Sequence, residues 1–346
     1  WGLEQEYSER DVVYFVLSNV SVSGNDGAIF DRKGRIFELQ HKEQLPWHSN
    51  LPHPSCEAPE ELKEALLLVF TSGPGFYHWL LDAMARLVIA LEVVPRHLKI
   101  LVPSNYGTLH KFMSQLLYLA KVPTNRLYHY DILPLELGEK QVGCPRVEVS
   151  ELHIIDWHSQ SLDPRQDTQH LAPRFALRKL RGFMWGRLPP KRSALNTLPP
   201  ILVRRKIALY VQRSKADDRR VGNEKEIIQM FASQAEDRIR LKVFSDSPVP
   251  PMLEAVKLFR AAHVVLGMHG AGLSNAVFCQ EGTHLIEFAL PEPGTHCYAH
   301  LAMAMELKYW QVAVEGQGAH GNRYSNVSLA SLQSVLSQIP EVQTGF

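Results

Sequence analysis

Residues 263–288, HVVLGMHGAGLSNAVFCQEGTHLIEF, bring together the residue types that hold an anion. The apolar run Val264-Val265-Leu266 leads into Gly267 and the small-residue loop Met268-His269-Gly270-Ala271-Gly272-Leu273; Ser274-Asn275 then precede a short apolar helix and the strand Leu285–Phe288. Glycines at 270 and 272 let backbone N–H groups approach an anion, and a helix starting near Ser274 points its positive end at the same place. The guest this pattern suits is a phosphate or diphosphate. Gly270 to Asn275 resembles the dinucleotide fingerprint, and Glu287 falls near the expected ribose-binding acid, but Asn275 stands where the third glycine belongs. A turn that needs its glycines only for conformation is the structural alternative.

Two further groupings carry chemistry. In 212–224, QRSKADDRRVGNE, a strand ends, guanidinium groups cluster around Arg213 and Arg219, and a helix begins at Asn223, a residue able to cap it. Arginine forks suit phosphate oxygens, and this loop is expected on the same sheet edge as Gly270, whereas an ordinary basic loop is only a solvated one. Earlier, His78 and Asp82 stand four residues apart, one turn above the other, just after the glycine-rich end of an apolar strand. A surface pair is the bland account of them. The functional one is a general base that removes a proton from an acceptor hydroxyl while its partner orients it.

The elements that must position these groups alternate. Residues 11–40 read as short antiparallel strands around the turn Asp31 to Gly34, and Leu66–Phe70 as a buried parallel strand. A helix follows over 76–94, then strand-like and helix-like segments to Ile155 and a basic helical stretch from Pro173 to about Arg187. Pro189-Pro190 and Pro199-Pro200 bracket a polar linker, which divides the chain into domains 1–195 and 196–346. The second domain alternates strand and helix at Ile207–Val211, Asn223–Ala235, Leu241–Phe244, Met252–Ala262 and His263–Leu266, with a last strand at Tyr309–Val314 and a helix at Leu329–Ile339. This is the pattern of a parallel, Rossmann-like sheet covered on both faces.

At 346 residues, with 37 Lys and Arg against 36 Asp and Glu, the chain has no basic field to attract nucleic acid, so any anion must be held locally. Arg86 and Glu92 interrupt the best apolar run, so membrane contact is expected only through an anchor upstream of Trp1. Cys56, Cys144, Cys279 and Cys297 lack zinc spacing and read equally as two disulfides or as buried thiols. The sequons Asn19-Val20-Ser21 and Asn326-Val327-Ser328 lean toward a secretory compartment.

Taken in order, Phe76-Tyr77-His78-Trp79-Leu80-Leu81-Asp82, Gln212-Arg213 with Arg219 and Asn223-Glu224, Gly267 to Asn275, and Leu285-Ile286-Glu287-Phe288 resemble glycosyltransferase family 61. The family includes plant-type β1,2-xylosyltransferases and O-linked N-acetylglucosaminyltransferases. The resemblance implies an α/β fold of GT-B type, with two facing Rossmann-like domains, a last helix that packs back on the first, and inverting transfer from a UDP-sugar to a glycan or glycoprotein in the lumen of the Golgi or endoplasmic reticulum. Xylose and N-acetylglucosamine are the first-choice sugars.

Carried onto this chain, it implies that Arg213 and Arg219 neutralise the diphosphate, His269, Gly270, Ala271 and Gly272 hold it, Asn275 caps the loop helix and Glu287 accepts from ribose hydroxyls. Asn223 belongs to the same donor site. His78 and Asp82 fall on the acceptor side, with Asp82 narrowly preferred as base. The chain contains no D-x-D, so no metal and no cofactor is expected and arginines and amides must carry the leaving-group charge. The alternatives are a nicotinamide-dependent oxidoreductase using the Gly270 loop and a glycosyltransferase-like protein that binds without turnover.

Overall fold

The computed structural model describes residues 12–24, 27–37, 60–70, 75–105, 107–132, 146–157, 172–189, 206–234, 239–289, 296–315, 324–340 and 342. Two compact units divide the chain, 1–180 and 181–346. The proline-bracketed linker segment, 190–205, lies outside the described residues, as do Cys56, Cys144 and most of the glycine-rich turn before Gly75. No helix among the described residues is long and apolar enough to cross a membrane.

The first unit holds β1 (Val12–Ser23), β2 (Ala28–Asp31), β3 (Glu60–Leu67), β4 (Lys99–Ser104), β5 (Leu127–Asp131) and β6 (Arg146–Trp157) in the order β2-β1-β6-β3-β4-β5. Strands β6, β3, β4 and β5 are parallel, and β1 and β2 form the antiparallel edge expected from the early hairpin. Ala65, Leu67, Val69, Leu101, Leu152 and Ile154 are buried together on the sheet. Strand β3 begins earlier than its apolar run, at Glu60, because only the half that reaches the interior needs apolar side chains. Beyond it, Leu68 and Val69 remain fully buried.

After Gly75 comes one continuous helix, α1, in three pieces: Phe76–His78, a π-helical Trp79–Ala83, and Met84–Val93. A π turn leaves one residue more per turn than an α-helix, a distortion that recurs at functional sites. Arg86 follows Asp82 by one turn and is buried. Its Nε donates to the Ile155 carbonyl at 3.0 Å, its Nη2 to Asp156 Oδ1 at 3.0 Å, and its guanidinium lies 3.6 Å from the Trp157 ring centroid. The helix is thereby fastened to the carboxyl end of β6. Helix α2 (Lys111–Leu119) completes the region before α3 (Arg174–Trp185), within which the division between units falls.

In the second unit lie β7 (Lys206–Val211), β8 (Arg220–Val221), α4 (Glu224–Gln234), β9 (Ile239–Phe244), α5 (Met252–Ala261), β10 (Val264–Met268), β11 (His284–Ala289), α6 (Cys297–Met305), β12 (Lys308–Glu315), β13 (Tyr324–Val327) and α7 (Leu329–Leu336). The sheet order is β8-β13-β12-β11-β10-β7-β9. Five strands, β9-β7-β10-β11-β12, are parallel, as the alternation predicts. The edge departs from that expectation, since β13 runs antiparallel to β12. Leu332, Val335 and Leu336 of α7, the helix expected to pack back on the first domain, share a buried cluster with Tyr210, Phe231, Phe288 and Val312 of this unit.

The first parallel strand of this sheet, β7, is flanked by the second, β9, and the third, β10. The chain therefore winds one way from β7 to β9 and the other way from β7 to β10. In open α/β sheets the ligand crevice opens beyond the carboxyl ends of the strands where the order reverses. Here those ends carry Arg213 and the Gly270 loop.

Candidate functional site

Strand β10 pairs with β7 so that Gly267 lies opposite Val211. A Cβ on Gly267 would come within 3.0 Å of Val211 Cβ and O, and one on Gly272 within 2.8 Å of Val211 Cγ1. These two glycines let the loop lie against β7. Gly270 has a different reason. Its φ of 164° and ψ of 164° are extended, open to any residue, but a Cβ there would sit 2.2 Å from Arg213 Nη1 and 2.8 Å from Cζ. The position is glycine because the Arg213 guanidinium lies across it.

The short helix after the loop differs from expectation. It is a 3₁₀ helix from Ala271 to Phe278, opened by a bond of 3.0 Å from Leu273 N–H to the Gly270 carbonyl, and not an α-helix beginning at Ser274. Asn275 accordingly does not cap it. Its Nδ2 donates to the Gly272 carbonyl at 3.0 Å, while its Oδ1 is buried with no hydrogen-bond partner among the described residues. Arg181 Nη1 and Trp185 Nε1 donate to the carbonyls of Cys279 and Phe278 and hold the far end of the turn. Cys279 is a buried free thiol, its pKa pushed up by desolvation.

Arg213 Nη2 donates to Asp218 Oδ1 at 2.9 Å and to the Asp218 carbonyl at 3.2 Å, and Arg219 Nε donates to Asp218 Oδ2 at 3.1 Å. One carboxylate thus bridges two guanidinium groups. Arg213 Nε is buried with no hydrogen-bond partner among the described residues. Burial, and after it the charge of Arg219, push the Arg213 pKa down, against the opposing pull of Asp218. The loop is pinned beneath them: Asp246 accepts from Ser214 Oγ and from Lys215 N–H, each at 2.7 Å.

Asn223 stands apart from this group. Its Nδ2 donates to the Val327 carbonyl at 2.9 Å and its Oδ1 accepts from Val327 N–H at 3.0 Å, so the side chain clamps β13 and neither caps α4 nor joins the arginines. Glu287 also has partners within the protein. Buried on β11, it takes His269 Nδ1 on Oε1 and the Tyr309 hydroxyl on Oε2, so both oxygens expected to meet a ribose already accept from side chains. Burial, then Glu287, push the Tyr309 pKa up. Tyr298 of α6 donates to the Gly270 carbonyl at 2.5 Å and meets the His269 ring edge-on at 5.2 Å. Neither tyrosine, nor Asp218, was assigned a role from sequence.

In the first unit His78 Nδ1 and Asp82 Oδ2 lie 2.9 Å apart, His78 closing the first piece of α1 and Asp82 inside the π turn. The side chain of His78 is 36% exposed and that of Asp82 12%. Asp82 Oδ1 is buried and lacks a hydrogen-bond partner among the described residues. A carboxylate oxygen left unmet in the interior is costly, and such oxygens concentrate at functional sites. The helix leaves the carboxyl side of β3, which lies between β6 and β4 where the order of the parallel strands reverses.

The structure therefore gathers Arg213, Arg219, His269, Gly270, Ala271, Gly272, Asn275 and Glu287 around the ends of β7, β10 and β11, and joins His78 to Asp82 in the other unit. The protein-family model described as Glycosyltransferase 61 matches residues 76–286, more than half of the 346-residue chain. The match opens at the first residue of α1 and closes inside β11. Among curated proteins nothing matches.

Proposed function

The chain belongs to glycosyltransferase family 61, and from that premise we propose that it is an inverting enzyme that moves a sugar from a UDP-sugar to a hydroxyl of a glycan or glycoprotein. Xylose and N-acetylglucosamine are the leading donors, GT-B is the architecture and the secretory lumen the compartment. The observation that carries the reading is the guanidinium of Arg213 laid across Gly270 at the strand-order reversal, with Arg219 beside it. Arg213 against the start of the 3₁₀ turn, with Arg219 joined to it through Asp218, is a setting that suits a diphosphate.

In the proposed reaction the acceptor oxygen attacks the anomeric carbon as the bond to the β-phosphate oxygen breaks, which inverts the configuration. The acceptor proton passes to the His78–Asp82 pair. Exposure divides the labour differently from the sequence preference for Asp82. His78 is the outer member, whereas Asp82 is nearly buried. Against a carboxylate, which only accepts, Nδ1 is the donor, and this leaves Nε2 as the basic atom. Asp82 is then the positioning residue. Arg213, Arg219 and the loop amides take the charge that develops on UDP.

Two features tell against the nicotinamide reading. Asn275 stands where the dinucleotide fingerprint has its third glycine, and the Arg213–Asp218–Arg219 cluster has no evident task in binding a dinucleotide. Thermal shift is expected to show stabilisation by UDP and none by NAD; the reverse order would remove the proposal. A panel of UDP-sugars then identifies the donor by slow hydrolysis, and a protein that bound them without turnover would be the non-catalytic alternative. Activity is expected to survive EDTA, since guanidinium groups and amides supply the charge in this mechanism. Loss in EDTA with recovery in Mn²⁺ would refute that part.

Gly270→Ala separates binding from folding. The added methyl group pushes the guanidinium aside without requiring any strained backbone angle. UDP should bind about tenfold more weakly or worse, the value of a charge-assisted hydrogen bond, as read by calorimetry. The melting temperature should change little.

A further inference from the structure

Asp218 takes both of its carboxylate oxygens to the two arginines that the proposed function assigns to the donor diphosphate: Oδ1 to Arg213 Nη2 at 2.9 Å, Oδ2 to Arg219 Nε at 3.1 Å. Its side chain is 40% exposed, so nothing buries the carboxylate in place. It belongs to a loop anchored elsewhere, through Ser214 and Lys215 to Asp246, and its neighbour Arg219 holds a left-handed φ of 53° that an arginine adopts only under constraint. Arg213 Nε is buried and has no hydrogen-bond partner among the described residues. The two guanidinium groups repel one another, and Asp218 is the anion that relieves the repulsion.

We propose that Asp218 is an internal counter-anion: it occupies the guanidinium pair when the diphosphate is absent, gives way when UDP or a UDP-sugar arrives, and returns as UDP departs. The inference rests on the reading of Arg213 and Arg219 as diphosphate ligands. A carboxylate and a diphosphate are both acceptor-only anions competing for one fork of N–H donors. The carboxylate therefore lowers donor and product affinity, limiting how tightly the product UDP is retained, while holding the two guanidinium groups together.

Calorimetric titration of the full chain with UDP, inorganic pyrophosphate and uridine tests this. Asp218→Asn preserves shape and an acceptor oxygen but removes the charge. It is expected to tighten UDP and pyrophosphate by up to about fivefold at low salt, the upper range for partly exposed ion pairs, with uridine unaffected. The gain should shrink as ionic strength rises. Asp218→Ser gives the same readout should the asparagine variant fold poorly. Unchanged or weaker UDP binding in a folded variant would show that the carboxylate serves only to hold the loop, and would overturn the proposal. Arg213→Gln and Arg219→Gln, measured in parallel, separate this from failure of the premise. If both variants bind UDP as the natural protein does, the arginines are not diphosphate ligands and both readings fall; if they bind weakly while Asp218→Asn shows no gain, only the counter-anion falls.

Discussion

Replacing His78 by Asn is expected to lower turnover by about a thousandfold, in the middle of the range for a general base, while leaving the dissociation constant of UDP within about twofold. In the proposed mechanism the imidazole takes part in proton removal in the transition state and the donor diphosphate is assigned to residues of the other unit, so kcat should fall without a matching change in donor binding. Asp82→Asn should cost less, on the order of tenfold to a hundredfold, because an amide oxygen still accepts from Nδ1 but no longer balances the imidazolium that forms. The order of the two losses is the informative quantity. A larger loss for Asp82→Asn would move the base to the carboxylate, the assignment preferred from sequence. Equal small losses, accompanied by weakened acceptor binding, would make the pair a substrate clamp. Steady-state kinetics with the donor identified by the hydrolysis panel, alongside calorimetry with UDP, measures both variants.

How much of this was legible before the fold was known follows from what each signal encodes. Buried parallel strands have to be apolar, so Ala208 to Val211, Val264 to Leu266 and Leu285 to Phe288 announce themselves, and the loops at their ends can be placed on one sheet edge. That was enough to bring Arg213 to Gly270. What a side chain does once it arrives depends on neighbours distant in the chain, and there sequence gives little. Glu287 reads as an acid free for a ribose until Tyr309 and His269 are seen on its oxygens. Asn223 reads as a cap until β13 is found on its amide. Asp218 reads as one more solvated charge of a polar loop until its two oxygens are found on Arg213 and Arg219.

Local geometry was hidden for another reason. Ser274-Asn275 suit the start of an α-helix, yet Gly270 is drawn against Arg213 and Gly272 against Val211, and the chain tightens into a 3₁₀ turn three residues sooner. Helix α6, which carries Tyr298, gave no 3.6-residue period because nearly all of Cys297–Met305 is buried, leaving no polar face to mark it. The π turn at Asp82 leaves no trace in residue type at all.

Arg86 shows the same gap between residue type and role, and its replacement carries the largest expected effect on stability. In the sequence it is a charge that spoils an apolar run; in the structure it is among the largest fully buried side chains. Arg86→Leu would leave Asp156, itself 8% exposed, without its guanidinium partner, free the Ile155 carbonyl, and remove the cation stacked on Trp157 and on Phe70 at 4.4 Å. Breaking one side of a buried pair costs about 3–5 kcal/mol, a large part of the roughly 5–15 kcal/mol that holds a domain together. Asp156→Asn keeps an acceptor for Nη2 but strands the buried guanidinium without a counter-charge, so it should cost about as much. The double variant Arg86→Leu with Asp156→Leu should be more stable than the sum of its single losses, since no charge is then stranded. Urea unfolding of the natural protein, Arg86→Leu, Asp156→Leu and the double variant closes the cycle, with Asp156→Asn measured beside it; a fully additive cycle would mean that the pair does not interact. Because Arg86 lies one turn beyond Asp82 on α1, a variant that remains folded should also lose turnover, with UDP affinity preserved. Such a result would show that the anchor of the helix at β6 holds the His78–Asp82 pair in register for proton removal.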